Sequence, residues 1–474
     1  MEVSVISTEM IKPSPSLAIP HLKPFKISLL DQFIPTFYSP FILFYPIKNG
    51  ARDHYFKKNA QISTHLKTSL SETLSSFYPF SGRINDNLFI DKYEEGVPFV
   101  ETRVKSDLFD FLKDPQLELL NQFLPSSSCQ PYCLHYQTNT PLLAIQLNMF
   151  DCGGIALGFS CSHKIIDGRT ASAFLNSWSW AANPTGSKKS SIVPDKLMEA
   201  SSRFPPLGQP LSQIVSPLAG KLLFDDGNYI TRRFVFDAKA ITTLRAEAKG
   251  DGIENPSRIE ALSCFIWKSC TTAARLRSAS CIWPSSSSSI AAHAVNIRQR
   301  TKPRFSKYST GNLWWAATAA YEMADDDHMG LGDLVALTRE AYSNINADYL
   351  NAFQLGGDES GVEAAAAISN IFVRNPKLVL ELMPMMKPQV FWFTSWLKFG
   401  FHEVDFGWGK PIWVGVCGKV GPRFGNLTIL KEINHERNGG IEAWVNLDEN
   451  LMAIVENDPQ FLTFATPNPS ILMP

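Results

Sequence analysis

The chain has 474 residues, which is too long for one ordinary hydrophobic core and predicts two domains, or three at most. Hydrophobic residues make up 45% and charged residues 19% of the sequence, proportions typical of a globular protein. The formal net charge of −1 gives no electrostatic attraction to nucleic acid or to an anionic membrane. No apolar run reaches the roughly 18 residues that a transmembrane helix needs. We therefore expect neither a nucleic-acid partner nor a membrane partner.

The eight cysteines are scattered, and no CxxC motif occurs. This distribution predicts free thiols in a reducing compartment, rather than a disulfide framework or a metal site. By elimination we expect a cytoplasmic protein without a bound metal.

The first half of the chain alternates between strand and helix patterns. The stretch "VSVISTEMIKPS" at the N-terminus alternates and predicts a strand. Residues 59–77 repeat apolar side chains at helical spacing and predict an amphipathic helix. Two strands are predicted around 88–91 and 97–104. The pattern is therefore mixed from the beginning.

Two strands and a helix surround the most informative motif of this half, "SHKIIDG". The stretch "PLLAIQLNMFDCGGIALGFSC" predicts two strands joined at Gly153–Gly154, and "TASAFLNSWSWAA" predicts a helix. His163 therefore lies where a buried strand ends, a favoured place for chemistry. The imidazole could act as a base near neutral pH, or it could be an ordinary core histidine. Asp167 could cap the following helix instead of taking part in chemistry.

A stretch rich in Pro, Ser and Gly separates the two halves. It runs from 183 to 228 and predicts a linker, which we place at 206–222. The predicted domains are therefore 1–205 and 223–474. After the linker the sequence predicts a strand and helix from 229, a second helix from 257, a flexible loop at 285–289 followed by a strand, and a closing strand and helix from 440. The fold class is mixed α/β without a regular βαβ rhythm.

Three stretches of the second half carry polar groups in apolar surroundings. "VNIRQR" at 295–300 predicts a strand presenting Arg298, whose buried charge needs a partner such as Asp167. "FTSWLKFGF" places Thr394 and Trp396 among aromatic residues, where they could line a site or simply pack in the core. "DFGWGKP" begins at Asp405, which could brace a turn that the glycines permit.

Familiar catalytic and cofactor motifs do not occur. The stretch "GFSCS" lacks the last glycine of a nucleophile elbow, and "HERNG" is not a zinc-protease motif. The sequence contains neither GxGxxG nor GxxxxGK[ST], so a nucleotide cofactor held by such a loop is not expected.

In combination, these stretches resemble the BAHD family of plant acyl-CoA-dependent acyltransferases. The resemblance rests on "SHKIIDG", "VNIRQR", "GNLWW" and "DFGWGKP" in this order, with "LLDQF", "FILFYP" and "FYPFSGRI" nearer the N-terminus. In character the chain is closest to the vinorine-synthase-like and the floral or fruit alcohol acetyltransferases.

The resemblance implies two chloramphenicol-acetyltransferase-like domains with a channel between them. His163 would be the general base in that channel, and Asp167 would point away from it and pair with Arg298. The region of Thr394 and Trp396 would supply donors to the oxyanion. Asp405 belongs to the second motif of the family, and we expect it to brace a loop rather than to move protons.

The co-substrate implied is acyl-CoA, most simply acetyl-CoA, with no permanently bound cofactor. A phosphate of CoA could bind Ser257 and Arg258 at a predicted helix start. The expected protein is a monomer that esterifies a hydroxyl group of a plant specialised metabolite such as a terpenoid or an alkaloid. The alternatives are N-acylation of an amine and a catalytically inactive, ligand-binding homologue.

Overall fold

The computed structural model describes residues 1–15, 22–47, 55–125, 139–183, 197–208, 224, 227–250, 252–279, 288–322, 327–351, 389–418, 425–433 and 439–472. The strands in these ranges, in chain order, are β1 (Val3–Ile11), β2 (Phe25–Lys26), β3 (Tyr38–Tyr45), β4 (Arg83–Asn85), β5 (Phe89–Asp91), β6 (Val97–Val104), β7 (Leu143–Phe150), β8 (Ile155–Ser162), β9 (Tyr229–Phe236), β10 (Ser288–Asn296), β11 (Trp314–Glu322), β12 (Gln389–Ser395), β13 (Trp413–Gly415), β14 (Leu427–Glu432), β15 (Ile441–Asp448) and β16 (Thr466–Pro467).

The α-helices of the described ranges are α1 (Leu29–Phe33), α2 (Tyr55–Ser76), α3 (Leu108–Lys113), α4 (Gly168–Ala182), α5 (Glu199–Arg203), α6 (Ala238–Glu247), α7 (Arg258–Ala279), α8 (Leu331–Asn344), α9 (Ala347–Asn351), α10 (Glu449–Val455) and α11 (Pro459–Leu462). Short 3₁₀ turns occur at Tyr78–Ser81, Tyr93–Glu95, Leu117–Phe123 and Phe401–Glu403. None of the helices in the described part of the chain is both long and apolar enough to cross a bilayer.

The described strands form two large sheets and one small sheet. The first large sheet has the order β1-β6-β7-β8-β3-β13, and the second has the order β11-β10-β12-β14-β15-β9-β16. Both sheets mix parallel and antiparallel pairs. In the first sheet β6 runs parallel to β7, whereas β7 runs antiparallel to β8. In the second sheet β10 runs parallel to β12, whereas β14 runs antiparallel to β15. The small sheet has the order β2-β5-β4. The mixed α/β class predicted from the sequence is confirmed.

The first large sheet is buried, and its central strands are mostly apolar. Every residue of β7 and β8 is buried, as expected for strands covered on both faces. Helix α2 covers this sheet with side chains four residues apart, and Ile62, Leu66 and Leu70 are all buried there. A second core lies under the other large sheet, around α7.

The two halves of the chain meet where a strand of the second half joins the first large sheet. Strand β13 belongs to the second half in sequence, yet it pairs with β3 of the first sheet, Trp413 opposite Phe44. The rings of these two residues stack with centroids 5.0 Å apart. The predicted linker 206–222 falls mostly outside the described residues, so the domain boundary stays a prediction.

Two local predictions need correction. The stretch at 285–289 was expected to be a loop, but β10 already begins at Ser288 and pairs with β11. The stretch 295–300 was expected to be a strand through Arg298, but β10 ends at Asn296. The Asn296 side-chain oxygen accepts a hydrogen bond from the Arg298 N–H at 3.0 Å, and this local bond turns the chain out of the sheet.

Candidate active site

His163 lies directly after the last residue of β8, at the end of the first large sheet. The ladder between β3 and β8 ends with Tyr38 opposite Ser162, and the His163 N–H then donates to the carbonyl of Phe37 at 2.8 Å. The position of His163 is therefore set by the sheet, and its side chain begins where the regular pairing stops.

Asp167 is the N-cap residue of the next helix, α4. Its carboxylate accepts the N–H of Thr170 at 2.8 Å and caps α4, which is the structural role open to an Asp at this position. Gly168, the next residue, does not have a positive φ. A Cβ at Gly168 would lie 2.2 Å from the ring of Phe399, so glycine is needed there for close packing.

The same carboxylate forms a bidentate ion pair with Arg298. The Arg298 Nη1 and Nη2 atoms lie 2.7 and 3.0 Å from the two oxygens of Asp167, and the side chains are 3% and 7% exposed, respectively. Burial alone would raise the pKa of Asp167, but the Arg298 charge and hydrogen bonds lower it below the usual value. Since Arg298 follows β10 of the second sheet, this pair joins the two sheets directly after the turn at residues 163–165, the His163 turn.

A cavity of about 400 Å³ opens beside His163. Residues of both large sheets line it, so it lies where the two halves of the chain meet. Its wall is mainly aromatic and includes Phe37, Phe41, Trp314, Trp392, Phe393, Trp396, Phe399 and Phe401. A concave, largely apolar cavity with a few polar groups is the usual form of a small-molecule site.

The imidazole of His163 presents one nitrogen to this cavity. The Nδ1 atom is buried without a hydrogen-bond partner in the described residues, so Nε2 is the nitrogen that can meet a ligand. The ring stacks on Phe37 with centroids 5.0 Å apart, and the indole of Trp314 meets it edge-on at 6.2 Å. Burial lowers the pKa of His163 below its usual value, although the nearby Asp167 charge opposes this. A neutral imidazole, able to accept a proton, is therefore favoured at neutral pH.

Thr394, near the end of β12, and Trp396, directly after it, also line the cavity. The backbone N–H of Trp396 already donates to the carbonyl of Leu430 at 2.7 Å. The Thr394 hydroxyl makes no hydrogen bond with another described residue. The groups free to meet an oxyanion here are therefore this hydroxyl and the Trp396 indole N–H.

Asp405 does not line the cavity with His163. Its carboxylate accepts the N–H groups of Gly407 and Gly409 at 2.8 and 2.9 Å. Both glycines have a φ near +105°, a conformation that other residues adopt only with strain. The loop also buries Phe406 against Trp178 of α4, with centroids 4.8 Å apart. In this geometry Asp405 braces the loop.

Ser257 and Arg258 lie at the start of α7 and do not line the cavity. Ser257 and Glu260 form a capping box at this helix start, because the Glu260 N–H donates to the Ser257 hydroxyl at 3.2 Å and the Glu260 carboxylate accepts the Ser257 N–H at 2.6 Å. Arg258 is partly exposed and donates to the carbonyl of Gly439 at 3.1 Å. Of the two, Arg258 is the better placed to meet a phosphate, because the Ser257 N–H is already taken.

Three buried residues around the His163 turn were not identified from the sequence as site residues. They are Asp31 of α1, Lys164, and Asn312 in the loop before β11. The amide of Asn312 donates to the carbonyls of His163 and Lys164 at 2.8 and 3.0 Å. The stretches "LLDQF" and "GNLWW" contain two of them, but no local pattern shows that positions 31 and 312 meet.

The comparison with known proteins agrees with the resemblance seen in the sequence. The Transferase family model matches residues 1–462. Akuammiline synthase 2 from Alstonia scholaris is 35% identical, over 99% of this chain and 98% of that protein. Epi-neemfruitin B 7-O-acetyltransferase from Melia azedarach is 36% identical, over 99% of this chain and the whole of that protein.

A solved structure shows the same fold. The crystal structure of vinorine synthase, an enzyme known from Rauvolfia serpentina, superposes with a TM-score of 0.75 at 31% identity and covers 99% of this chain and 100% of the other. The chain therefore belongs to the BAHD family of acyl-CoA-dependent acyltransferases.

Proposed function

We propose that this chain transfers an acetyl group from acetyl-CoA to a hydroxyl group of a plant specialised metabolite, such as a terpenoid or an alkaloid. The observation that carries the proposal is the position of the His163 Nε2 atom, which faces an aromatic cavity between the two halves of the chain. The printed names of relatives support an alcohol acceptor and an acetyl donor, since one is a 7-O-acetyltransferase.

The chemistry follows from the groups around the cavity. His163 takes the proton of the acceptor hydroxyl as its oxygen attacks the thioester carbonyl. The tetrahedral oxyanion then meets the Thr394 hydroxyl and the Trp396 indole N–H. When the carbon–sulfur bond breaks, the protonated His163 returns its proton to the CoA thiolate. The products are an ester and free CoA, and His163 is neutral again.

The other residues support this step from a distance. Asp167 and Arg298 hold the turn that carries His163, and Asp405 braces a loop behind α4. Arg258 would bind a phosphate of CoA outside the cavity. We further propose a cytoplasmic monomer. The described cysteines 152, 161, 264, 270 and 417 form no disulfide bond, which fits a reducing compartment.

The proposal is tested by incubating the purified protein with acetyl-CoA and matched panels of alcohols and amines. Release of free thiol, together with an ester product identified by mass spectrometry, supports it. An amide product would instead establish N-acylation. If neither panel releases thiol above the level of a His163→Ala control, the chain is a binding homologue and the proposal fails.

The pH dependence of kcat/KM gives a second test. Protonation of His163 removes the base, so activity falls as the pH drops through the pKa of this group. Because burial lowers that pKa, the midpoint of the acid limb should lie below the ordinary histidine value of about 6.5. A midpoint clearly above 6.5 would contradict a desolvated His163.

A further inference from the structure

The His163 turn rests on the segment that contains α1. The His163 N–H donates to the carbonyl of Phe37, and the Phe37 ring stacks on the imidazole. The next side chain, Lys164, is 2% exposed and its Nζ donates to the carbonyls of Gln32, at 3.2 Å, and Ile34. Burial lowers the pKa of Lys164 to about 7, although the Asp31 charge opposes this shift. One side of the turn is therefore fixed to the end of α1.

Asn312 fixes the other side. Its amide donates to the carbonyls of His163 and Lys164, and its side-chain oxygen accepts the indole N–H of Trp314 at 3.1 Å. The amide therefore joins two consecutive carbonyls of the turn to the aromatic wall of the cavity. Asn312 is 1% exposed, so water does not compete for these bonds.

Asp31 in turn holds Asn312. One carboxylate oxygen of Asp31 accepts both the backbone N–H of Asn312, at 2.7 Å, and its amide, at 2.9 Å. The other oxygen accepts the N–H and the hydroxyl of Ser28, at 2.9 and 2.6 Å, and so caps α1. Capping uses only one of the two oxygens. The second oxygen reaches a residue 281 positions away, so the local cap does not account for this buried carboxylate.

Gly311 shows how closely these groups approach. Its φ is +118°, and a Cβ there would lie 3.1 Å from a carboxylate oxygen of Asp31. The carbonyl of Gly311 accepts from Arg298 at 3.2 Å, and the N–H of Leu313 donates to Asp167 at 3.2 Å. The segment 311–313 therefore connects the Asp31 carboxylate with the Asp167–Arg298 pair.

We propose that Asp31 and Asn312 are positioning residues that aim the His163 imidazole into the cavity by fixing the backbone of its turn. This rests on the proposed function, in which His163 is the base. Neither residue lines the cavity, so neither contacts substrate there. Their effect is on geometry, and a displacement of about 1 Å at a reacting group can cost on the order of 10²-fold in rate.

The test compares two buried asparagines. Asn148 of β7 is 0% exposed, and its amide also donates to two backbone carbonyls, those of Phe123 and Ala156, both at 2.9 Å. Asn148 does not line the cavity.

Asn312→Ala and Asn148→Ala should lose similar stability in urea, because each leaves buried carbonyls without donors. Only Asn312→Ala should lower kcat, by about 10- to 100-fold, with KM for acetyl-CoA within about threefold of the parent. If both variants keep kcat within threefold of each other, the proposal is wrong.

A second pair separates positioning from helix capping. Ser28→Ala removes the hydroxyl of the cap but leaves the Asp31 oxygen that holds Asn312, so kcat should stay within about threefold of the parent. Asp31→Ala removes both functions, and its kcat should fall as far as that of Asn312→Ala. An equal kcat for Ser28→Ala and Asp31→Ala would overturn the proposal. Should Asp31→Ala not fold, the two asparagine variants decide.

Failure of the proposed function gives a different result. If His163→Ala keeps the parent activity, His163 is not the base and the proposed function fails. If activity depends on His163 but not on Asn312, only the positioning proposal is wrong.

Discussion

Two stretches of the molecule, 163–168 and 405–409, each combine an aspartate with glycine, but they form different structures. In the first, Asp167 is buried and pairs with an arginine 131 positions away, so that one carboxylate joins the two large sheets. In the second, Asp405 is partly exposed, and its carboxylate binds N–H groups two and four residues further on. Asp167 therefore connects the two sheets that line the cavity, whereas Asp405 stabilises only its own loop.

The glycines differ in the same way. Gly168 has an ordinary φ but lies against the ring of Phe399, so a neighbouring side chain requires it. Gly407 has open space around it but a φ of +106°, so the backbone requires it. A shared residue pair therefore does not imply a shared role. Three substitutions test this difference.

The largest effect is expected for His163→Ala. Loss of one general base should lower kcat by about 10²–10⁴-fold. The fold should remain intact, because Phe37 and Asn312 hold this turn through the backbone N–H and carbonyl of residue 163, which the substitution keeps. Steady-state kinetics and a thermal melt measure the two quantities. A correctly folded variant with near-normal turnover would exclude His163 as the base.

Asp167→Ala should affect both stability and activity. It leaves the buried Arg298 charge without its carboxylate, which costs roughly 3–5 kcal/mol in the free energy of unfolding. The turn that carries His163 then loses its support, so kcat should also fall. Urea denaturation and kinetics on the same preparation measure both. A variant that unfolds like the parent would show that the pair contributes no net stability.

Asp405→Ala should have the smallest effect. It removes the acceptor of two partly exposed N–H groups, a loss of about 1 kcal/mol in the free energy of unfolding. Because Asp405 does not line the cavity, kcat should stay within about threefold of the parent. A fall in kcat close to that of His163→Ala, without a matching loss of stability, would give this aspartate a direct role in the chemistry.

The local structure around His163 could be predicted from the sequence, whereas its distant supports could not. The alternating apolar residues before and after Gly153–Gly154 predict β7 and β8, and the helical stripe after Asp167 predicts α4. These patterns depend on near neighbours in the chain. The contacts of Asp31 with Asn312 join α1 to a loop of the second half, and no periodicity encodes such a distance.

Arg298 is an intermediate case. Its charge in an apolar stretch predicts a buried partner, and Asp167 was one candidate among the carboxylates. The strand predicted through Arg298 was wrong, because a side-chain bond from Asn296 ends the ladder two residues earlier. Polar residues at strand ends are poorly predicted by alternation, since their local hydrogen bonds compete with the sheet.

The kinetic order distinguishes direct transfer, in which His163 takes the proton of the acceptor, from a route through a covalent acyl-enzyme. Cys161 shares the cavity wall with His163, whereas the Ser162 hydroxyl is buried and lies outside the lining. Cys161 is therefore the nucleophile that a covalent route would use. Initial rates at varied acetyl-CoA and alcohol should give intersecting double-reciprocal plots. The intact mass of the protein after acetyl-CoA alone should be unchanged. Parallel plots together with an acetyl adduct on Cys161 would contradict direct transfer.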